Sequence, residues 1–222
     1  MPPKSEIRVL GLDIAAVNSG VCVTKALHRK QGAPQFEALF ECGLVHGPLR
    51  DHTERSKAAD VIKGLALQHK VTFAVIEDYA MRLGPNNTSA YQAGESAGMV
   101  KKALWESSVP FIVVPPTSMR SFLQVPSRLP DSGKQFIIDA AEEKFGFKSE
   151  QTNQNKRSNA TDAFIHTVIG SYVYYHFEGR DLGELPKEQQ EILHGNGKKM
   201  AGLVNMPELY FGCDWPVFDD EE

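Results

Sequence analysis

The chain has 222 residues and no apolar run approaching the roughly 18 that a membrane-spanning helix needs, so such a span is not expected. Its start, Met-Pro-Pro-Lys-Ser-Glu, has no apolar stretch of the secretory-signal kind and leads straight into a strand-like segment, so a secretory signal is not expected either. Cysteine is scarce: Cys22, Cys42 and Cys213 are odd in number and show no C-x-x-C spacing. That argues against a disulfide scaffold or a cysteine zinc site, and for a reducing intracellular compartment such as the cytoplasm. There is no internal repeat, and no low-complexity tract beyond the terminal Asp-Asp-Glu-Glu. Also missing is the basic excess that marks nucleic-acid binding outright: 24 basic residues stand against 28 acidic ones, a net of −4. The distribution is less forbidding. Residues 180–222 hold ten acids and four bases, a net of −6, which leaves +2 for the rest. Charge permits a nucleic-acid partner without demanding one.

What is present is an ordinary globular composition, 41% hydrophobic and 23% charged. The length suits one domain with an appendage. The reading is a body over residues 1–178 and an acidic, irregular extension over 179–222. Ile7 to Asp13 (IRVLGLD) reads as a buried strand, and Val21 to Ala26 as the return strand of a hairpin. A third strand falls within Gln35 to Val45. Asp51 to His69 has helical spacing, with Ala58, Val61, Ile62, Leu65 and Leu67 on one side. Val71 to Glu77 (VTFAVIE) is another mostly apolar strand ending in a carboxylate. Thr88 to Glu106 is a helix rich in small residues. Val109 to Val114 is a strand stopped by Pro115-Pro116, after which Thr117 and Ser118 can cap a short helix. Gln135 to Phe145 is amphipathic, Gln151 to Ser158 reads as a loop, and Ala160 to Phe177 as a long helix. Strands alternating with helices imply an α/β fold, a mixed sheet with helices on both faces. Ligands in such sheets gather at the carboxyl ends of the strands.

Three acids stand where burial is costly without a partner. Asp13 ends the first strand, Glu77 ends the strand VTFAVIE, and Asp162 lies near the start of the last long helix. Each has a plain explanation: Asp13 as a turn former, Glu77 as a strand-end charge beside Asp78, Asp162 as an acid favoured by a helix N-terminus. Together they suit hard divalent cations, which take carboxylate and phosphate oxygens. Two such ions can clamp the attacking and leaving oxygens of a phosphodiester.

In this setting the sequence resembles the RuvC-type Holliday junction resolvases of the ribonuclease H-like superfamily. The residues that carry the resemblance are Leu10-Gly11-Leu12-Asp13 with Gly20; Val75-Ile76-Glu77 with Gly94-Glu95-Ser96-Ala97-Gly98; Val114-Pro115-Pro116 with Gly133-Lys134-Gln135; and Asn159-Ala160-Thr161-Asp162-Ala163-Phe164. They fall in family order over residues 7–175. The resemblance implies a ribonuclease H-like sheet and a homodimeric endonuclease that depends on Mg²⁺, with Mn²⁺ able to substitute. Its DNA substrate would be a branched molecule, a four-way junction nicked symmetrically. Asp13, Glu77 and Asp162 would be the catalytic metal ligands. The family places a fourth ligand, Asp or His, three residues before the last Asp, and Asn159 stands there. Asn159 would either lend a carbonyl oxygen to the metal or cap the helix, with Asp162 in its first turn. Lys134 matches a basic residue near the scissile phosphate and would stabilise developing charge. Arg120, Lys156 and Arg157 would contact DNA phosphates. The register of an aromatic wedge gives Ala80 here, with Tyr79 adjacent as the candidate. His166, one helical turn beyond Asp162, would either orient the site or pack as a buried polar residue.

Other readings stay open beside this one. ATPases that begin with a strand, an Asp and a phosphate-cradling hairpin need more glycine than Ile14-Ala15-Ala16-Val17 supplies, and a longer chain. A nuclease of the same fold acting on flaps, forks or hybrids is one alternative. A catalytically weak junction-binding protein, consistent with Asn159, is another. The tail, with Tyr210, Phe211, Trp215 and Phe218, would pack on the body, bind a partner or mimic DNA charge.

Overall fold

A computed structural model describes residues 6–14, 19–28, 34–43, 52–78, 88–125, 133–195, 202–205 and 210–211. Tyr79, Cys213, Trp215 and Phe218 lie outside the described residues.

Three antiparallel strands lead: β1 (Glu6–Asp13), β2 (Gly20–Leu27) and β3 (Gln35–Cys42). Helix α1 (His52–Gln68) crosses to β4 (Phe73–Glu77), and α2 (Thr88–Glu106) crosses to β5 (Phe111–Val114). β4 pairs with β1 and β5 with β4, both parallel. Then come α3 (Pro116–Phe122), α4 (Gly133–Phe145) and α5 (Gln154–Phe177). The six-stranded sheet has the order β3-β2-β1-β4-β5-β6, where β6 (Tyr210–Phe211) pairs antiparallel with β5.

Side-chain alternation divides the core into two layers. Val9, Phe73, Val75, Ile112 and Val114 point to the face covered by α5. Leu10, Leu12, Ala74, Ile76 and Val113 point to the face covered by α1 and α2. β1, β4 and β5 are apolar on both sides because both sides are covered.

Four local readings differ from the sequence-based expectation. On α1, Val61 and Leu67 face solvent, at 45% and 57% exposure, while Ala58, Ala59, Ile62 and Ala66 make the buried stripe. The true stripe is narrower than the run of hydrophobes suggested. α3 starts on Pro116, and no side chain caps it. A proline at the first helical position already has the helical φ and lacks only an N–H that would go unbonded. α5 begins at Gln154, six residues before Ala160. The Asn153 side chain caps it by accepting from the N–H groups of Asn155 and Lys156, at 2.9 and 3.2 Å. Its first turn has no hydrophobe, so apolar periodicity could not reveal it. Lastly, the tail is not all irregular. α6 (Lys187–His194) packs on α3, with Ile192 and Leu193 buried, and Leu203–Asn205 form a 3₁₀ turn beside it.

Candidate active site

Parity brings the first two acids together. Asp13 is two residues beyond Gly11 and Glu77 two beyond Val75, so both carboxylates point to the α5 face. β1 and β4 are in parallel register, with Leu12 opposite Ile76, which puts the two acids side by side one step further on.

The third acid reaches them because α5 lies against the sheet almost backbone to backbone. A Cβ on Gly11 would stand 2.0 Å from the Ala163 carbonyl oxygen, and one on Gly20 only 1.9 Å from that of Asn159. Only glycine allows this approach. Asp162 is therefore delivered to the rim that carries Asp13 and Glu77.

Helix α5 places Asp162 eight residues past its first residue. That overturns both helix-start explanations. Asn159 is not the cap, since Asn153 is, and Asp162 is too far along to gain from the helix dipole, which acts within the first turn. Nothing local accounts for an acid here. One of its oxygens, Oδ1, is enclosed with no hydrogen-bond partner among the described residues. Burial first, and then the charge of Glu77, push the Asp162 carboxyl up to about 7, while His166, Lys134 and Arg120 hold it down. Burial, then Glu77 and Asp162, likewise push Asp13 well above the usual carboxylate range. A hydrogen bond from the protonated Asp13 carboxyl to Glu77 adds to this. Three carboxyl groups thus share a recess in which each is only partly exposed.

Two basic residues act on the acids, and two more stand at the start of α5. Lys134, exposed on the first turn of α4, bonds through Nζ to Asn155 Oδ1 at 2.9 Å and acts on both Asp13 and Asp162. Arg120, exposed on α3, acts on Asp162. Lys156 stands exposed on the first turn of α5, and Arg157 Nε donates back to the Gln151 carbonyl at 3.1 Å. Asn159 is buried, and its Nδ2 donates to the Gly43 carbonyl at 3.2 Å, tying α5 to the end of β3.

His166 is fully buried, and its Nε2 lies 3.1 Å from Glu77 Oε2 across 89 residues of sequence. The four-residue spacing to Asp162 is legible in the sequence. The contact with Glu77 is not, because it depends on how closely α5 meets the sheet.

The donor set fits a hard divalent cation: carboxylate oxygens, one of them enclosed and unpartnered among the described residues, with two acids driven toward protonation by burial and then by one another's charge. Among the described residues, no three His, Cys, Asp or Glu side chains stand as a group that could hold a metal ion as they are positioned. The fit is therefore one of charge and donor type.

No protein-family model matches the sequence, and no curated protein sequence matches it. Among solved structures, the chain is similar to Thermus thermophilus RuvC, with a TM-score of 0.60 and 17% identity over 78% of this chain and 97% of that one. It is similar to T. thermophilus RuvC in complex with Holliday junction substrate, with a TM-score of 0.58, 17% identity and the same coverage. A Fowlpox virus resolvase bound to substrate Holliday junction DNA is more distant, at 0.46 and 14% identity over 75% of this chain and 96% of that one, a likeness too loose to bear on the fold. The chain has the RuvC fold, a ribonuclease H-like mixed sheet with helices on both faces.

Proposed function

We infer that the protein is a divalent-metal-dependent endonuclease that nicks four-way DNA junctions. The observation that carries this is the recess where Asp13, Glu77 and Asp162 converge from β1, β4 and α5, with an enclosed carboxylate oxygen lacking a partner among the described residues. A purely structural cluster would be neutralised by fixed partners, as buried charge usually is. The fold points the same way: one solved relative of this shape is bound to a Holliday junction substrate.

Asp13, Glu77 and Asp162 would hold Mg²⁺ or Mn²⁺. When bound, such ions supply Lewis acidity at a phosphodiester and make an attacking water reactive at neutral pH. Asn159 adds no charge, and with its amide nitrogen engaged with Gly43 it is its Oδ1 that would be offered to the metal. Lys134 is placed to offset charge as it develops on the phosphate, and Asn155 holds its ammonium in position. Arg120, Lys156 and Arg157 would grip neighbouring phosphates, setting register more than sequence.

Symmetric nicking needs two sites, hence a homodimer. The outward line of α2 suits a partner. Tyr91 and Trp105 are 79% and 63% exposed, and Gly98 lies midway at seven-residue intervals with open space above it. An exposed aromatic–glycine–aromatic stripe marks an interaction surface and allows close helix approach.

The test is cleavage of a labelled four-way junction beside a flap, a fork and a linear duplex, each with Mg²⁺, Mn²⁺ or EDTA. Paired nicks on the junction leaving 5′-phosphate and 3′-hydroxyl ends, absent in EDTA, are the expected result. Equal cutting of flaps and forks would make it a general branch nuclease. Binding without cutting in either metal would reduce the function to recognition.

A further inference from the structure

We propose that His166 is a positioning residue that holds the Glu77 carboxylate in the orientation needed to bind a divalent cation. This rests on the reading of the acidic recess as a metal centre.

His166 is an unusual residue to bury completely. It lies within the apolar half of α5, and no water reaches it. Among the described residues its hydrogen-bonding partner is Glu77, with Nε2 at 3.1 Å from Oε2, and its Nδ1 is enclosed without a partner. This pattern assigns the tautomer. A proton on Nδ1 would be a buried donor with nowhere to go, whereas a proton on Nε2 meets a carboxylate oxygen. Nε2–H thus donates to Glu77, while Nδ1 faces the core.

The consequence falls on Glu77. It is the last residue of β4, and its side chain is 18% exposed. A strand-end glutamate has rotamer freedom to lose when it is fixed. His166 removes that freedom at Oε2. With Oε2 occupied by a donor on a rigid helix, the remaining lone pairs of Glu77 are aimed at the recess shared with Asp13 and Asp162. Asp162 and His166 are one turn apart on α5, so a single helix placement sets one ligand directly and a second through its hydrogen bond. Partners of ligating carboxylates act in this way, and losing one typically lowers metal affinity or activity by roughly 10- to 100-fold.

The test compares His166→Leu, which loses the donor at similar bulk, with His166→Gln, whose amide nitrogen can occupy the place of Nε2. Three readouts are taken: Mn²⁺ binding by calorimetry, the Mn²⁺ concentration for half-maximal junction cleavage, and ¹⁵N NMR of labelled histidine in the metal-free protein. The expected result is a ~10- to 100-fold weaker Mn²⁺ affinity in His166→Leu, with an equal rise in the metal requirement. His166→Gln should recover most of the loss. The NMR spectrum should show a proton on Nε2 whose resonance shifts in Glu77→Gln. The proposal is overturned if His166→Leu keeps wild-type Mn²⁺ affinity, if the leucine and glutamine variants are equally impaired, or if the ring carries its proton on Nδ1. A wild-type protein that binds no Mn²⁺ while showing the expected tautomer would instead overturn the metal-centre reading.

Discussion

Asp162→Asn should make the metal-free protein more stable at pH 8 while destroying its nuclease activity. Asp162 binds its proton more tightly folded than unfolded, with a pKa raised from 3.8 to about 7. Between those values the native state holds the extra proton, so this carboxyl's contribution to stability falls as pH rises through the window and is at its worst above about 7. Roughly three units at ~1.4 kcal/mol each set a ceiling of about 4 kcal/mol. The recess keeps some solvent contact, which screens these charges, so about half of the ceiling, ~2 kcal/mol, is the working figure. For a chain of this size that is a Tm rise of ~4–8 °C. The assay is thermal unfolding in EDTA at pH 8 and pH 5, then at pH 8 with added Mg²⁺. The gap between variant and wild type should shrink by more than half at pH 5, where the wild-type carboxyl is protonated. It should narrow again with Mg²⁺, which would bind and stabilise only the wild type. An asparagine variant no more stable than wild type at pH 8, or a gap indifferent to pH, would refute the claim that this carboxylate is held unsatisfied.

Three further outcomes are expected. Gly11→Ala would drive a Cβ to 2.0 Å from the Ala163 carbonyl, so α5 must lift from β1; a loss of ~2–3 kcal/mol or more, read by urea unfolding, should come with lost cleavage. Lys134→Ala should slow single-turnover cleavage by ~10²–10³-fold with junction affinity reduced only slightly, and an unchanged rate would remove Lys134 from the chemistry. Trp105→Glu should yield a monomer in sedimentation velocity without lowering Tm, because Trp105 is 63% exposed on α2; a dimer of unchanged affinity would move the interface elsewhere.

The legible parts of the fold were those with an apolar signature. IRVLGLD and VTFAVIE are continuous hydrophobic runs that stop at acids, and strands covered on both faces must look like that. The runs put Asp13 and Glu77 at strand ends, while their common face follows from the register of β1 and β4 in the structure. The start of α5 was hidden because its first turn, Gln154 to Arg157, is wholly polar and held by a capping side chain rather than by packing. α6 left a fainter signal that could have been read: Pro186 stands just before it, and Gly195, at φ 84°, closes it. The bond from His166 to Glu77 had no local signal at all. It joins two elements far apart in sequence and depends on Gly11 and Gly20 admitting α5 to the sheet, which is a property of packing rather than of pattern.

The central claim is that the three carboxylates at the rim carry out phosphodiester cleavage. Its most direct test is single-turnover nicking of a labelled four-way junction by wild type and Asp13→Asn in Mg²⁺, with junction binding measured alongside in EDTA. The account predicts paired nicks from the wild type, none from the variant, and binding by the variant that is equal or tighter because one negative charge facing the DNA is gone. Nicking that survives Asp13→Asn at the wild-type rate would contradict it.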